Sequence, residues 1–393
     1  MTYDFSKMTE RRSSGSLKWD VQEKELPMWV ADMDFETAPE IIQTLQERVT
    51  HGIFGYQMVP DTYFQAIHDW WLTQHHVDFH PEWMMFCTGV VPAISSIVRK
   101  LTTPGEQVLI QSPVYNIFYN SIANNGRHIL SNDLVYENGG YHIDFDDLER
   151  KLSDPQTTMM LLCNPHNPIG KIWDKKTLQR IGDLCARYHV IVVSDEIHCD
   201  LCAPHQEYVP FASVSPLCQA IGITCVSASK AFNLAGLQSA CIIISDEQLR
   251  HRVNRGINTD EVAEPNSFAV CATIAALRKG EAWLKELRVY LQENKEVTHS
   301  FLKEYLPMLS VVSMDATYLL WIDCSAITRN SNKLCEYLRK ETGLYVTSGE
   351  EYGSNGTGFI RMNIACPRER LMDGLQRLYQ GISSYQEEAD IHE

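Results

Sequence analysis

The sequence predicts an α/β fold: a large domain with a mostly parallel sheet sandwiched by helices, plus a smaller α+β domain built from the N-terminal segment and the C-terminal part. Three observations carry this. Between about residues 84 and 245, short apolar runs alternate with amphipathic helical patterns. The runs are apolar throughout rather than alternating, as strands are when helices cover both faces of a sheet. After about residue 265 the alternation gives way to long helical stretches with a few strands.

MMFCTGV, QVLIQSP, TTMMLLCNP, VIVVSDE, AIGITCVSAS and QSACIIIS read as buried strands, and PAISSIVRKL, NIFYNSIANNG and DKKTLQRIGDLCARYH as the helices between them. No linker interrupts this stretch, so residues 46–285 are expected to form one large domain. Residues 267–306 read as one long amphipathic helical segment. A strand pair in VVSMDATYLLWIDC and a helix in SNKLCEYLRKETG follow, then TGFIRMNIACP; together they suggest a small domain over 286–393. The first 45 residues hold no α/β unit and are expected to join it. Asp144, Asp146 and Asp147 mark a helix start, and GSNGTG (353–358) reads as a flexible, hairpin-like loop.

Bulk properties narrow the function classes. The chain has 393 residues, 44% hydrophobic and 21% charged, with a net charge of −16. So acidic a surface repels phosphate backbones and anionic lipid, which argues against nucleic acid and membrane partners. No apolar stretch approaches the roughly 20 residues that span a bilayer, and MTYDFSKMTERRSSGS is no secretory signal. A cytoplasmic protein is expected. The 12 cysteines are scattered; Cys163, Cys225, Cys241 and Cys271 lie in apolar runs, where thiols act as small hydrophobes. Cys199 and Cys202 have CxxC spacing, but no second pair exists to complete a zinc site. His75, His76 and His80 cluster in a polar connection, and Asn355-Gly-Thr is a sequon without weight in the cytoplasm. No metal is expected.

The chemistry concentrates in three motifs at strand ends. SASKAFNLAGL (227–237) places Lys230 after a buried strand, between small hydroxyl residues. Alone, such a lysine reads as a side chain snorkelling to the surface. Upstream, VIVVSDEIH ends a strand on Asp195, and LLCNPHNPIG ends another with Asn167 in a proline-bracketed loop. All three come from carboxyl ends of strands, where open α/β sheets bind ligands.

In this order and spacing, NPHNPIG, SDEIH and SASKAFNLAGL resemble the fold-type I pyridoxal-phosphate enzymes, the aspartate aminotransferase superfamily, and the resemblance extends over nearly the whole chain. It implies pyridoxal 5'-phosphate held as a Schiff base on Lys230. Asp195 would keep the ring nitrogen protonated, and Asn167 would donate to the phenolate oxygen. CTGVVPAI resembles the phosphate cradle, with Gly89, Val90 and Val91 opening a helix. Tyr115 matches the aromatic stacked on the ring, and Ser227 a hydroxyl to the phosphate. Arg361 matches the arginine that grips the substrate carboxylate, a task suited to its planar fork. FGYQ resembles the segment whose tyrosine, here Tyr56, reaches a neighbouring subunit's phosphate, which implies a homodimer with shared active sites.

Two departures set a branch. Aminotransferases usually carry tyrosine where this chain has His198, and often arginine where it has Gln238. With WVADMDF (29–35) and RMNIACPR, these departures are similar to the MalY/PatB branch, whose members resemble cystathionine β-lyases and cysteine desulfhydrases. The implied reaction is β-elimination from an S-substituted cysteine, with Lys230 moving the α-proton and Tyr115 a candidate to assist. An aminotransferase shares the early steps and stays an alternative. A regulatory role through a protein partner is a third reading; direct DNA binding finds no helix-turn-helix with a basic face.

Overall fold

The computed structural model describes residues 2–392. Its centre is a seven-stranded sheet. The strands are β1 Met84–Cys87, β2 Gln107–Ile110, β3 His128–Ser131, β4 Thr157–Cys163, β5 Ile191–Asp195, β6 Gly222–Val226 and β7 Ala240–Ile243. Their spatial order is β1-β7-β6-β5-β4-β2-β3. The five strands β6, β5, β4, β2 and β3 run parallel, and β7 lies antiparallel between β1 and β6.

Burial explains why these runs are apolar on both faces. Met159, Leu161 and Cys163 of β4 pack into one layer with Val193, Ile223 and the helix Val90–Leu101. Met160 and Leu162 pack into the opposite layer with Val192 and the helix Lys175–Arg187. A period-2 strand buried on two sides has no polar face to show.

A second sheet has four strands: β8 Ser310–Val311, β9 Leu319–Asp323, β10 Thr347–Ser348 and β11 Phe359–Asn363, in the order β8-β9-β11-β10. Leu320, Ile322, Ile360 and Met362 share a core with Leu334 and Leu338 of the helix Ser331–Thr342, and with Trp19, Leu26 and Met28. The N-terminal segment is therefore packed into this core. The expected domain limits at 45 and 285 fall inside continuous helices, Pro39–His51 and Glu281–Tyr305.

Two local expectations are corrected. The helical segment 267–306 is two helices, Ala269–Lys279 and Glu281–Tyr305, meeting at Gly280. A Cβ there would lie 2.5 Å from both the Ala276 carbonyl oxygen and Phe232 Cε1, so glycine lets Phe232 approach at the corner. Residues 353–358 form no flexible hairpin. Ser354–Gly356 is a 3₁₀ turn, pinned where Asn355 donates to the Ser112 carbonyl at 2.7 Å and accepts from Ser112 Oγ at 2.7 Å. Asp144 does cap a helix, accepting from the amides of Asp146 and Asp147. Among the described residues, no helix is long and apolar enough to cross a membrane.

Candidate active site

The carboxyl ends of β1, β4, β5 and β6 open on one cavity of about 200 Å³. Gly89, Val90 and Val91 come from the turn after β1, Asn167 from the loop after β4, and Asp195 and His198 from the end of β5. Ser227 and Lys230 follow β6, and Tyr115 enters beyond β2. Because β7 runs the other way, Gln238 and Ser239 arrive from its amino end. Parallel topology thus gathers residues that lie far apart in sequence.

Lys230 is enclosed, and its Nζ donates to the carbonyl oxygen of Ala31 at 2.8 Å. Burial lowers the pKa of its amine to about 8, with the nearby Arg361 adding to the effect and Asp32 and Asp195 opposing it. An amine so placed gives up its proton near neutrality, as a nucleophile or base requires.

Asp195 is buried and accepts one backbone bond, from Ile197 N at 3.1 Å. Burial pushes its carboxyl up to about 7; the Ile197 amide opposes this, Glu196 adds to it, and Lys230 opposes it weakly. His198 is also buried, with its Nδ1 unpartnered. Burial and then the cations Lys230 and Arg361 depress its pKa to about 3, so the ring is neutral. Glu196, by contrast, is satisfied away from the cavity, accepting from Ser194 Oγ at 2.7 Å, Phe211 N at 3.0 Å and the Tyr208 hydroxyl.

Arg361 reaches over from β11. Its Nη1 donates to Asn167 Oδ1 at 3.1 Å and its Nη2 to the Trp29 carbonyl at 2.8 Å, while Nε has no partner. Its guanidinium lies 4.8 Å from the Tyr352 ring centroid. Burial, reinforced by Asp195, raises the Tyr115 hydroxyl to about 12, so it stays protonated. The helix Val90–Leu101 begins after Gly89 with no side-chain cap, leaving its first N–H groups free beside the cavity. Ser227 Oγ donates to the Ser239 carbonyl at 2.6 Å and accepts from Ser229 N at 3.1 Å.

Arg361 adjoins the cavity through Asn167 rather than lining it, and Tyr56 alone of the expected site residues lies away from it. It is fully exposed on the segment between the helices Pro39–His51 and Asp61–Gln74, near exposed Phe54 and Met58. Two residues that the sequence did not flag also belong here: Ala31, by its backbone carbonyl, and Tyr318, whose hydroxyl donates to the same oxygen at 3.1 Å. A carbonyl has no residue-type signature, so only the unexplained string WVADMDF pointed there. Elsewhere, His75, Cys199 and Asp200 bring candidate ligand atoms within 4.8 Å of one another. Asp200 Oδ1 is already shared between Trp70 Nε1 at 2.9 Å and His75 Nε2 at 2.8 Å, an arrangement satisfied without an ion.

Residues 24–378 match the model of the family described as aminotransferase class I and II. The chain belongs to that family. Among its curated members, this aminotransferase-family chain is similar to the cystathionine beta-lyase PatB of Bacillus subtilis, at 42% identity over 97% of this chain and 100% of that protein. It is also similar to the protein MalY of Escherichia coli, at 34% identity over 97% and 99%. Among solved structures it superposes on cystalysin from Treponema denticola, which contains a pyridoxal 5'-phosphate cofactor, with a TM-score of 0.95 and 31% identity over 98% and 100% of the two chains. The PLP-bound C-S lyase of Staphylococcus hominis gives a TM-score of 0.90 at 32% identity over 97% and 99%.

Proposed function

We propose that this chain is a pyridoxal-phosphate-dependent carbon–sulfur lyase that eliminates a thiol from Cβ of L-cystathionine or a related S-substituted cysteine. One observation carries the reading: Lys230, Asp195 and Asn167 converge on one cavity, in a chain 42% identical over nearly its whole length to a cystathionine beta-lyase.

The residues present fit the cofactor. Asp195 is a buried carboxyl without a cationic hydrogen-bond partner, which a protonated ring nitrogen would supply. Asn167 and neutral His198, whose buried Nδ1 has no partner, line the same space as candidate ring-oxygen and ring-edge partners. The uncapped N–H groups at Gly89, Val90 and Val91, with Ser227, suit a phosphate. Tyr115 offers a protonated aromatic wall. When bound, pyridoxal phosphate supplies an electron sink that stabilises negative charge at the substrate Cα.

The protein's own groups do the rest. Arg361, fixed by Asn167 and the Trp29 carbonyl, holds the substrate carboxylate with its remaining N–H donors. Lys230 Nζ takes the Cα proton. The Cβ–S electron pair leaves with sulfur as a thiolate, which is protonated to the thiol. Water then converts the remaining three-carbon enamine to pyruvate and ammonia.

A homodimer with shared sites belongs to this reading: a second copy would cover exposed Phe54 and Met58 and bring Tyr56 to its neighbour's phosphate pocket. Twelve free cysteines support a cytoplasmic setting. A large cofactor domain, with a small domain formed from both ends of the chain, belongs to the same proposal.

The test is an assay with L-cystathionine on purified protein without added keto acid. Release of pyruvate and thiol is the expected result. Turnover only when a keto acid is supplied would move the chain to the transaminating members of its family.

A further inference from the structure

WVADMDF (29–35) acts on the site through one side chain only at a distance, the Asp32 charge felt by Lys230, yet its backbone touches both cations of the site. Trp29 O accepts from Arg361 Nη2, and Ala31 O accepts from Lys230 Nζ. Three features aim the second carbonyl. Asp32 N donates to Val30 O at 2.9 Å, closing a three-residue turn centred on Ala31. The Asn363 amide donates to Val30 O at 2.5 Å and to Asp32 O at 2.6 Å, clamping the carbonyls on both sides of Ala31. Asn363 Oδ1 accepts from Ala365 N at 2.8 Å, so both N–H donors and the carbonyl oxygen of that amide are engaged, and turning it over would break all three bonds. The Ala31 oxygen is left pointing into the cavity, where Tyr318 and Lys230 share it.

The segment is also anchored beyond the turn. Asn233, three residues after Lys230, accepts from Met33 N and donates to the carbonyls of Met33 and Phe35, each at 3.0 Å. The lysine loop and the N-terminal strap are therefore tied together by three hydrogen bonds.

We propose that the Ala31 carbonyl is a built dock for the Lys230 amine, holding it whenever it is not bonded to cofactor, with Asn363 as the positioning residue and Tyr318 as a second donor that shares the oxygen. This rests on the reading of Lys230 as the cofactor lysine and proton carrier. A catalytic lysine that alternates between a covalent partner and proton transfer needs a fixed place in its free state, or each cycle pays the rotamer entropy of a long side chain. A carbonyl acceptor also favours the ammonium over the neutral amine, so the dock strengthens Lys230 as a base. It works against burial and against Arg361, in the same sense as Asp32 and Asp195. His198 also faces the amine, but is neutral.

The test titrates Lys230 in the full-length chain freed of cofactor, following its reaction with an acylating reagent against pH by peptide mass spectrometry. Asn363→Ala unclamps the turn while leaving Asp32, Asp195, Arg361, His198 and Tyr318 in place. Its Lys230 titration is expected to fall by about one pH unit, the scale for one lost hydrogen bond to a charged group. Tyr318→Phe removes the competing donor from the same oxygen, so the titration should rise by roughly a few tenths of a unit. Opposite shifts are the signature, because general loosening of the site would move both variants the same way. Titrations unchanged from wild type, or shifted together, overturn the dock. If Asn363→Ala does not fold, Tyr318→Phe decides alone: a rise supports the dock, and no change or a fall overturns it. Failure of the functional reading shows separately, as a Lys230→Ala protein that keeps its visible cofactor absorbance.

Discussion

Asp34 and Asp195 are the same residue type at nearly the same burial, 1% and 4% exposed, and their surroundings drive them in opposite directions. At Asp34 burial alone would raise the pKa, but cations outweigh it. Lys18 Nζ and Arg370 Nη1 each lie 3.2 Å from Oδ2, while Arg11 Nη1 at 2.7 Å and Trp19 Nε1 at 2.9 Å donate to Oδ1. The carboxyl is held below its ordinary range. At Asp195 burial meets one backbone amide, and the carboxyl is pushed up to about 7. A buried charge whose partners come from the chain itself is architecture, and here it anchors the strap that carries Ala31. One whose partners are missing from the chain marks a place prepared for something else.

Substitutions can break this contrast in order of expected effect. Lys230→Ala should abolish turnover with L-cystathionine and the visible absorbance of lysine-bound cofactor; steady turnover would remove Lys230 from the mechanism. Asp34→Ala should cost about 3–5 kcal/mol in chemical denaturation, because Lys18, Arg11 and Arg370 lose a common counter-ion in a buried place. A loss near the surface-pair scale of about 0–1 kcal/mol would show that the cluster is solvated. Asp195→Asn should cut turnover roughly 10²–10³-fold, the scale for one preorganised polar group, while leaving the cofactor-free fold intact.

The same variant sharpens the comparison through pH. A carboxyl whose folded pKa is raised from 3.8 to about 7 binds its proton more tightly folded than unfolded. Its contribution to stability is present below about pH 4 and is lost as pH rises to about 7. Cofactor-free Asp195→Asn should therefore gain stability relative to wild type across that interval, read as melting temperatures. His198 slopes the other way in both proteins and cancels in the difference. A constant difference would mean that Asp195 is already paired. The smallest effect is expected for Arg361→Lys, which keeps the charge but loses the planar fork; KM should rise about tenfold with kcat less affected.

The strands and the motifs at their ends were legible because each signal is local. A doubly buried strand must be apolar throughout, and the residues that line the cavity follow such strands directly. The corner at Gly280 was hidden, since the amphipathic pattern runs through it and only the approach of Phe232 reveals the break. The 353–358 turn looked flexible because Ser112, its partner, lies more than 200 residues away. His75 and Cys199 came from two motifs that the sequence kept apart. WVADMDF was conspicuous but unreadable, because it acts through peptide carbonyls. Its two aspartates take part differently: Asp34 sits at the centre of the ion cluster, and Asp32 lies at the cluster's partly exposed edge, paired with Arg11 at 2.8 Å.

The strap also fixes when the site can exist during synthesis. Residues 29–35 leave the ribosome early, but Lys230 emerges 199 residues after Ala31, Tyr318 follows 287 residues after it, and Asn363 trails Val30 by 333. The lysine is thus translated long before the amide that aims its carbonyl. A nascent chain holds every strand of the large sheet while its amine is still undocked, and the last strand of the small sheet completes the catalytic geometry.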